Sequence, residues 1–401
     1  MRGGDKGWDG LVGMKDIHLF VPTFDVQACL AAVRRCLEKG WTGMGDQTVA
    51  FEDAFCAATG HPHAHFLNSA TAGLHLAVKI LNKSNGWREG DEIITTPITF
   101  VSTNHAILYE GLTPVFADTD RYMTLDPVSV MERIGPRTRA VMFVGLGGNT
   151  GSWPEILRLC RERGLAVILD AAHMAGTRLD GVCPGLAADA AVYSFQAVKN
   201  LPTADAGMVC FAEAGHDTTA RKLSWLGIDK DTFTRTVADG RYKWQYEVEA
   251  VGYKYHGNSI MAAIGLTQLE TLEATNAYRR GLCDLYESGL AGREGIAIVP
   301  TAPGCLSSRH LFQVLVDNRD EVMLKLNERR IFPGVHYRDN TEYAVYRDAH
   351  GPCPAAREAS RRVISLPLHL RLYSGDVERV CDALCVAVAS ARDVDAPLLR
   401  S

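Results

Sequence analysis

The chain has 401 residues, 47% hydrophobic and 22% charged, proportions that suit a folded globular protein and exclude a disordered one. Its 42 Lys and Arg against 47 Asp and Glu give a net charge of -5, which supplies no basic field for a nucleic-acid backbone or an anionic membrane surface. Eleven cysteines without a CxxC pair predict neither a disulfide framework nor a zinc site. No apolar run nears the ~18 residues of a membrane span, and residues 1–13 carry no leader-like apolar stretch, so a cytoplasmic protein is expected.

Taken in chain order, helical patterns alternate with short β-rich runs from Phe51 to Ala212, which predicts an α/β fold with a mostly parallel sheet between helices. The runs are Glu92 to Phe100, Pro114 to Asp118, Ala140 to Gly145, Ala166 to Asp170, Ala190 to Phe195 and Gly207 to Ala212. Apolar residues at helical spacing place helices at Thr71 to Leu81 and Trp153 to Arg163. A longer amphipathic stretch, Met261 to Tyr286, leads out of this region. The expected division is a large domain over 1–265 with an N-terminal arm and a smaller C-terminal α+β domain over 266–401. The latter would hold a strand at Leu311 to Val316 and helices at Glu321 to Arg330 and Ser374 to Ser390.

Ligands of open α/β sheets gather at the carboxyl ends of strands. Three such ends carry polar residues. In LAVILDAAH, Asp170 is either a cap for the next segment or an acid held in a pocket. In YSFQAVKN, Lys199 follows Ser194 by five residues among apolar neighbours; a lysine there is either a solvated surface group or a Schiff-base nucleophile. In FLNSATAGLHLAV, small residues open a helix, which provides either an ordinary N-cap or an anion site. An anion site, a carboxylate and a buried lysine are together what pyridoxal phosphate requires.

The order of these motifs resembles the DegT/DnrJ-type sugar aminotransferases, pyridoxal-phosphate enzymes of the aspartate-aminotransferase fold. The resemblance runs from KGWTGMGDQTVAFEDAFCAATG through FLNSATAGLHLA, DEIITTPITFVSTNHAILYEGLTPVFADTD, VILDAAHMAGT and VYSFQAVKN. It continues in GYKYHGNSIMAAIGLTQLE and ends at VISLPLHLRLYSGDVERVCDAL.

The resemblance implies that Lys199 anchors the cofactor and carries the proton, and that Asp170 partners the pyridine nitrogen. It implies that Ser194, Ala70 and Thr71 hold the phosphate, that Phe100 stacks on the ring, and that His173 lies near the phenolic oxygen. Trp41, Thr42, Gly43, His336 and Tyr337 match positions near the substrate. The family's site is shared across a homodimer, whose partner subunit supplies the segment matching GYKYHGNS. The phosphate contact expected from it is His256, Asn258 or Lys254, because Lys254 and His256 stand where relatives carry an Asn or another polar residue and Asn258 lies two residues further on. GLGGNTGSW departs too, lacking the His that relatives carry before the glycine.

The implied reaction moves an amino group from L-glutamate or glutamine to the keto group of a sugar, most often nucleotide-linked, in amino-sugar or natural-product biosynthesis. Cyclitol ketones are the alternative acceptors. A dehydratase of the same family would carry histidine in place of Lys199, and a non-catalytic regulatory protein would have lost Asp170, Ser194 or Lys199. His61, His63 and His65 of HPHAH alternate as on one strand face, but without acids or cysteines at ligand spacing they predict no metal site.

Overall fold

The computed structural model describes residues 15–229, 246–347, 349 and 351–392; residues 1–13, whose composition bears on a leader, lie outside them. The chain begins with β1 (Ile17–His18), α1 (Val26–Glu38), α2 (Asp46–Thr59), β2 (His63–Leu67), α3 (Ala70–Asn85), β3 (Glu92–Thr95), α4 (Val101–Leu108) and β4 (Thr113–Phe116). It continues through α5 (Pro127–Arg133), β5 (Thr138–Val144), α6 (Trp153–Arg163), β6 (Ala166–Asp170), β7 (Arg178–Leu179), β8 (Ala190–Ser194), β9 (Gly207–Phe211) and α7 (Ala214–Ser224).

Seven strands form one sheet in the order β2-β9-β8-β6-β5-β3-β4. β9 pairs antiparallel with both neighbours, and the other pairings are parallel. The carboxyl ends of β2, β6 and β8 therefore share one sheet edge with the start of β9. Successive residues of each strand face opposite layers, as the period of two requires. Ile94, Val141, Phe143, Val167 and Leu169 pack with Phe51, Phe55 and Trp153 of α2 and α6. Ile93, Ala140, Met142 and Ile168 pack with Leu74, Ala77 and Leu81 of α3. This is the expected sheet between helices.

The run expected over Glu92 to Phe100 stops at Thr95. Pro97 has no N–H for a ladder, and Phe100 already stands at the N-cap of α4. β2, the strand built on the alternating histidines, completes the far edge of the sheet.

α8 (Ser259–Leu290) is an unbroken helix of 32 residues, about 48 Å long at 1.5 Å per residue. The expected boundary at 265/266 falls inside it. Ala262 and Leu272 join the core under the large sheet, whereas Leu282, Cys283, Tyr286 and Leu290 join a second core. That core lies against a smaller antiparallel sheet of β10 (Ile296–Ile298), β12 (Phe312–Val316) and β14 (Val363–Leu366). Around it follow β11 (Cys305–Leu306), α9 (Arg319–Glu328), β13 (Ile331–Phe332), α10 (Pro354–Arg362) and α11 (Ser374–Arg392).

Candidate active site

A cavity of about 480 Å³ opens at the shared sheet edge, with Ala70, Asp170, Ser194 and Lys199 on its sheet side and His336 and Tyr337 opposite. Thr71, Phe100 and His173 complete the set of sequence-expected residues it brings together.

Lys199 stands on the connection between β8 and β9. Phe195 N–H donates to Ala206 O (2.9 Å), Ala197 N–H to Ala204 O (2.9 Å) and Thr203 N–H to Phe195 O (2.8 Å), so the connection is a closed, ladder-like loop. Asn200, the next residue, is buried and donates to Asn276 Oδ1 on α8 (2.8 Å) and to Ser308 O (2.6 Å). Burial pushes the Lys199 ammonium down to about 8, with Asp170 pulling the other way. An amine in that range is unprotonated often enough at neutral pH to attack a carbonyl.

Asp170, 4% exposed, closes β6. Its Oδ2 accepts from Thr103 Oγ1 (2.7 Å) and its Oδ1 from Ala172 N–H (3.1 Å). Burial raises its pKa above the usual carboxylate range, opposed by Thr103, Ala172 and Lys199. Sequence reasoning missed Thr103; the available signal was its spacing of three from Phe100 in FVST, one turn into α4.

His173 Nδ1 accepts the Gly147 N–H (3.1 Å), and since a backbone amide can only donate, the neutral ring carries its proton on Nε2. Nε2 lies 3.3 Å from the Tyr337 hydroxyl. Burial first, then Lys199 and His336, holds His173 well below its ordinary pKa and hence neutral. His310, absent from the sequence reading, lines the cavity against His173 at a centroid distance of 4.3 Å. Its Nδ1 faces Asn200 Oδ1 (2.9 Å), while Phe20 stacks on the ring. Burial and Lys199 depress His336 to about 4, and its Nδ1 lies 2.9 Å from Ser365 Oγ. Burial raises the Tyr337 phenol, with Asp170 adding to it. Phe100, 59% exposed, lines the cavity with its ring centroid 6.2 Å from that of Tyr337.

Ser69 caps α3: its Oγ takes the Ala72 N–H (3.1 Å) and its carbonyl the Gly73 N–H (3.3 Å). The first-turn amides of Ala70 and Thr71 remain as donors beside the cavity, where the helix dipole favours an anion. The cap expected of this segment is made by Ser69, and the anion reading would use the two other amides of the same turn. Gly207 makes the approach possible, because a Cβ there would lie 2.5 Å from Ala70 N and 2.6 Å from Ser69 C. A phosphate fits this corner, with the Ser194 hydroxyl at its side, and a ring nitrogen fits Asp170.

Five expected contacts do not line the cavity of their own chain. The Thr42 and Gly43 carbonyls accept from Ser259 N–H (3.1 and 2.9 Å), and Trp41 Nε1 donates to Met44 O (2.7 Å), so this loop is packed at the start of α8. Asn258 Oδ1 caps the same helix on Met261 N–H (3.0 Å). His256 packs edge-on to Trp225 at 4.5 Å, and Lys254 Nζ sits 3.3 Å from the Trp225 ring centroid. Of the histidine trio, His65 is buried between Glu52 (3.0 Å) and Ser224 (2.7 Å), a structural pair.

A lysine, a buried carboxylate and a helix N-terminus around one cavity of a mostly parallel sheet define a pyridoxal-phosphate fold. The family model of the DegT/DnrJ/EryC1/StrS aminotransferases matches residues 25–385, and the chain belongs to that family. Its structure is similar to that of the aminotransferase TlmJ from Streptoalloteichus hindustanus, with 33% identity over 94% of this chain and 100% of that one and a TM-score of 0.86. It is also similar to PseC of Helicobacter pylori, an aminotransferase involved in pseudoaminic acid biosynthesis (26% identity, 94% and 100% covered, TM-score 0.86). A third similar structure is DesI in the presence of its TDP-sugar product (27% identity, 96% and 95% covered, TM-score 0.83). The protein is a pyridoxal-phosphate-dependent transaminase of the sugar aminotransferase type, acting on a keto sugar and an amino donor. No helix among the described residues is long and apolar enough to cross a membrane.

Proposed function

We propose that the protein transfers an amino group from L-glutamate or glutamine to the ketone of a nucleotide-linked sugar, in the cytoplasm, as part of amino-sugar or natural-product biosynthesis. The observation that carries the site assignment is the pairing of Lys199, its amine freed by burial, with buried Asp170 across one cavity. The TDP-sugar product of similar DesI supports the nucleotide-linked acceptor.

When bound, pyridoxal phosphate supplies an aldehyde that amines condense with and a protonated ring that withdraws electrons from the reacting carbon. In this reading Lys199 Nζ would anchor it and, once displaced by the donor, would carry the proton from the donor's α-carbon to the cofactor's reacting carbon, and in the second half-reaction from that carbon to the acceptor's. Asp170, fixed by Thr103 and Ala172, holds the proton at the ring nitrogen. The Ala70 and Thr71 amides and the Ser194 hydroxyl take the phosphate. His173 offers its Nε2 proton to the phenolic oxygen, while Phe100 covers the ring. His336 and Tyr337 face the substrate.

The same reading makes the enzyme a homodimer with a shared site. Trp41, Thr42, Gly43, His256 and Asn258 would then serve the partner's cavity. Lys254 is a further candidate for its phosphate.

Purified protein is expected to be yellow, and borohydride is expected to remove the visible band by reducing the link to Lys199. Lys199→Ala should be colourless and inactive. Wild-type protein that forms no reducible adduct would overturn the assignment of Lys199. Labelled glutamate offered with nucleotide-sugar ketones and with inososes tests the acceptor; labelling of the inososes alone would replace the sugar with a cyclitol. Full activity in a stable monomer would refute the shared site.

A further inference from the structure

Arg279 is 9% exposed, yet its Nη1 finds no hydrogen-bond partner and no carboxylate faces it among the described residues. Burial alone depresses it, to about 10, against a slight opposing pull from Cys283. The arginines nearby behave differently: Arg280 pairs with Glu273 at 2.5 Å and Arg309 with Glu287 at 2.6 Å. A guanidinium taken out of water with nothing opposite it is strongly destabilising, so this one is held in place for an anion that the described residues do not provide.

Its position says which anion. Arg279 lines a narrow recess that shares Phe20, Val198, Lys199 and His310 with the large cavity. The recess holds about 10 Å³, room for one water or one carboxylate oxygen. Asn276, three residues earlier on the same face of α8, is locked to the Lys199 loop through Asn200 and to Ala175 O (2.9 Å). The guanidinium is therefore registered against the reacting amine. His369, which also lines the recess, accepts the Arg371 N–H on Nδ1 (3.2 Å), which leaves the neutral ring's proton on Nε2.

We propose that Arg279 binds the carboxylate of the amino donor, so that this transaminase draws on amino acids and excludes simple amines. The proposal rests on the donor class given above and adds the residue that selects it. A charge-assisted hydrogen bond from the guanidinium to the one carboxylate oxygen the recess admits would fix the donor's orientation beside Lys199.

Arg279→Met, with Arg279→Lys beside it, tests this in the full-length holoenzyme. Conversion of the yellow form by L-glutamate without ketone should need on the order of 100-fold more glutamate in the Met variant, with the Lys variant between. Calorimetric titration of the holoenzyme with glutarate, which cannot react, should show binding in the wild type and none in the Met variant. The Met variant should melt at or above the wild type, since it removes an unpaired buried charge. A melting point well below wild type would mark a structural arginine and overturn the proposal, as would unchanged glutarate binding. A defect confined to amination of the ketone by the pyridoxamine-phosphate form would assign the carboxylate to the keto substrate and overturn the donor role. Failure of the broader reading has another signature: wild-type protein that forms no adduct with the cofactor.

Discussion

Thr103 Oγ1 donates a 2.7 Å hydrogen bond to Asp170 Oδ2 and itself lies 2.7 Å from Thr99 Oγ1, so a threonine relay from the segment before α4 into its first turn sets the orientation of the buried acid. Thr103→Val should raise the Asp170 pKa further and lower kcat about 10- to 100-fold, the effect of losing a hydrogen bond to a charged group of ~1.5–3 kcal/mol. Thr103→Ser should recover most of it. The check is steady-state kinetics together with the pH dependence of the visible band.

The depressed Lys199 has a signature in stability. Between its folded value of about 8 and its ordinary 10.5, the unfolded chain binds a proton that the folded chain does not, so folding becomes more favourable as pH rises through that window. Below about 8 the full cost of the buried ammonium is present. Lys199→Met should therefore raise the melting temperature of cofactor-free protein at pH 7, by an amount that shrinks toward pH 10. Calorimetry across that range checks the sign.

His173 accepts from Gly147 and stays neutral, so its proton resides on Nε2 between pH 6 and 9. Nitrogen NMR of labelled protein should show that single tautomer and no titration in the range. His173→Phe should cost ~1–3 kcal/mol by stranding the Gly147 N–H. Denaturant unfolding measures it.

Gly207→Ala forces a methyl onto the backbone of Ser69 and Ala70. The expected destabilisation is ~1–3 kcal/mol, with weakened cofactor retention because the phosphate corner is displaced. Gly215→Ala, in α7 with nothing within 4 Å of the added carbon, is the control and should be neutral or mildly stabilising. Thermal melts and cofactor dissociation rates distinguish the two.

The pattern of the chain reaches the strand ends well. Asp170 and Ser194 each follow an apolar run, and apolar runs are what a buried parallel sheet requires, while the Ala70–Thr71 turn is marked by its small residues ahead of an amphipathic helix. Groups that arrive from distant segments are invisible to it. Arg279 and Arg280 are neighbours in sequence, yet one faces the site and the other a glutamate at the surface. His310 carries no local mark of its partner, and Thr103 only its spacing from Phe100. The histidines of HPHAH do alternate, but the acid that meets His65 is Glu52, from the preceding helix and 13 residues away. Phe100 shows the opposite limit. Its apolar character extended the expected strand, whereas Pro97 had already ended it.

The loop from Phe195 to Ala206 is pinned to itself at three rungs and to α8 through Asn200. Its backbone therefore has no slack, and motion at the reacting nitrogen is that of the lysine's flexible four-carbon stem. Insertions or deletions between these residues should be far less tolerated than in surface turns such as Gly86 to Gly90. For redesign of the acceptor pocket, length variation belongs on the facing wall around His336, leaving the lysine's span at its natural count.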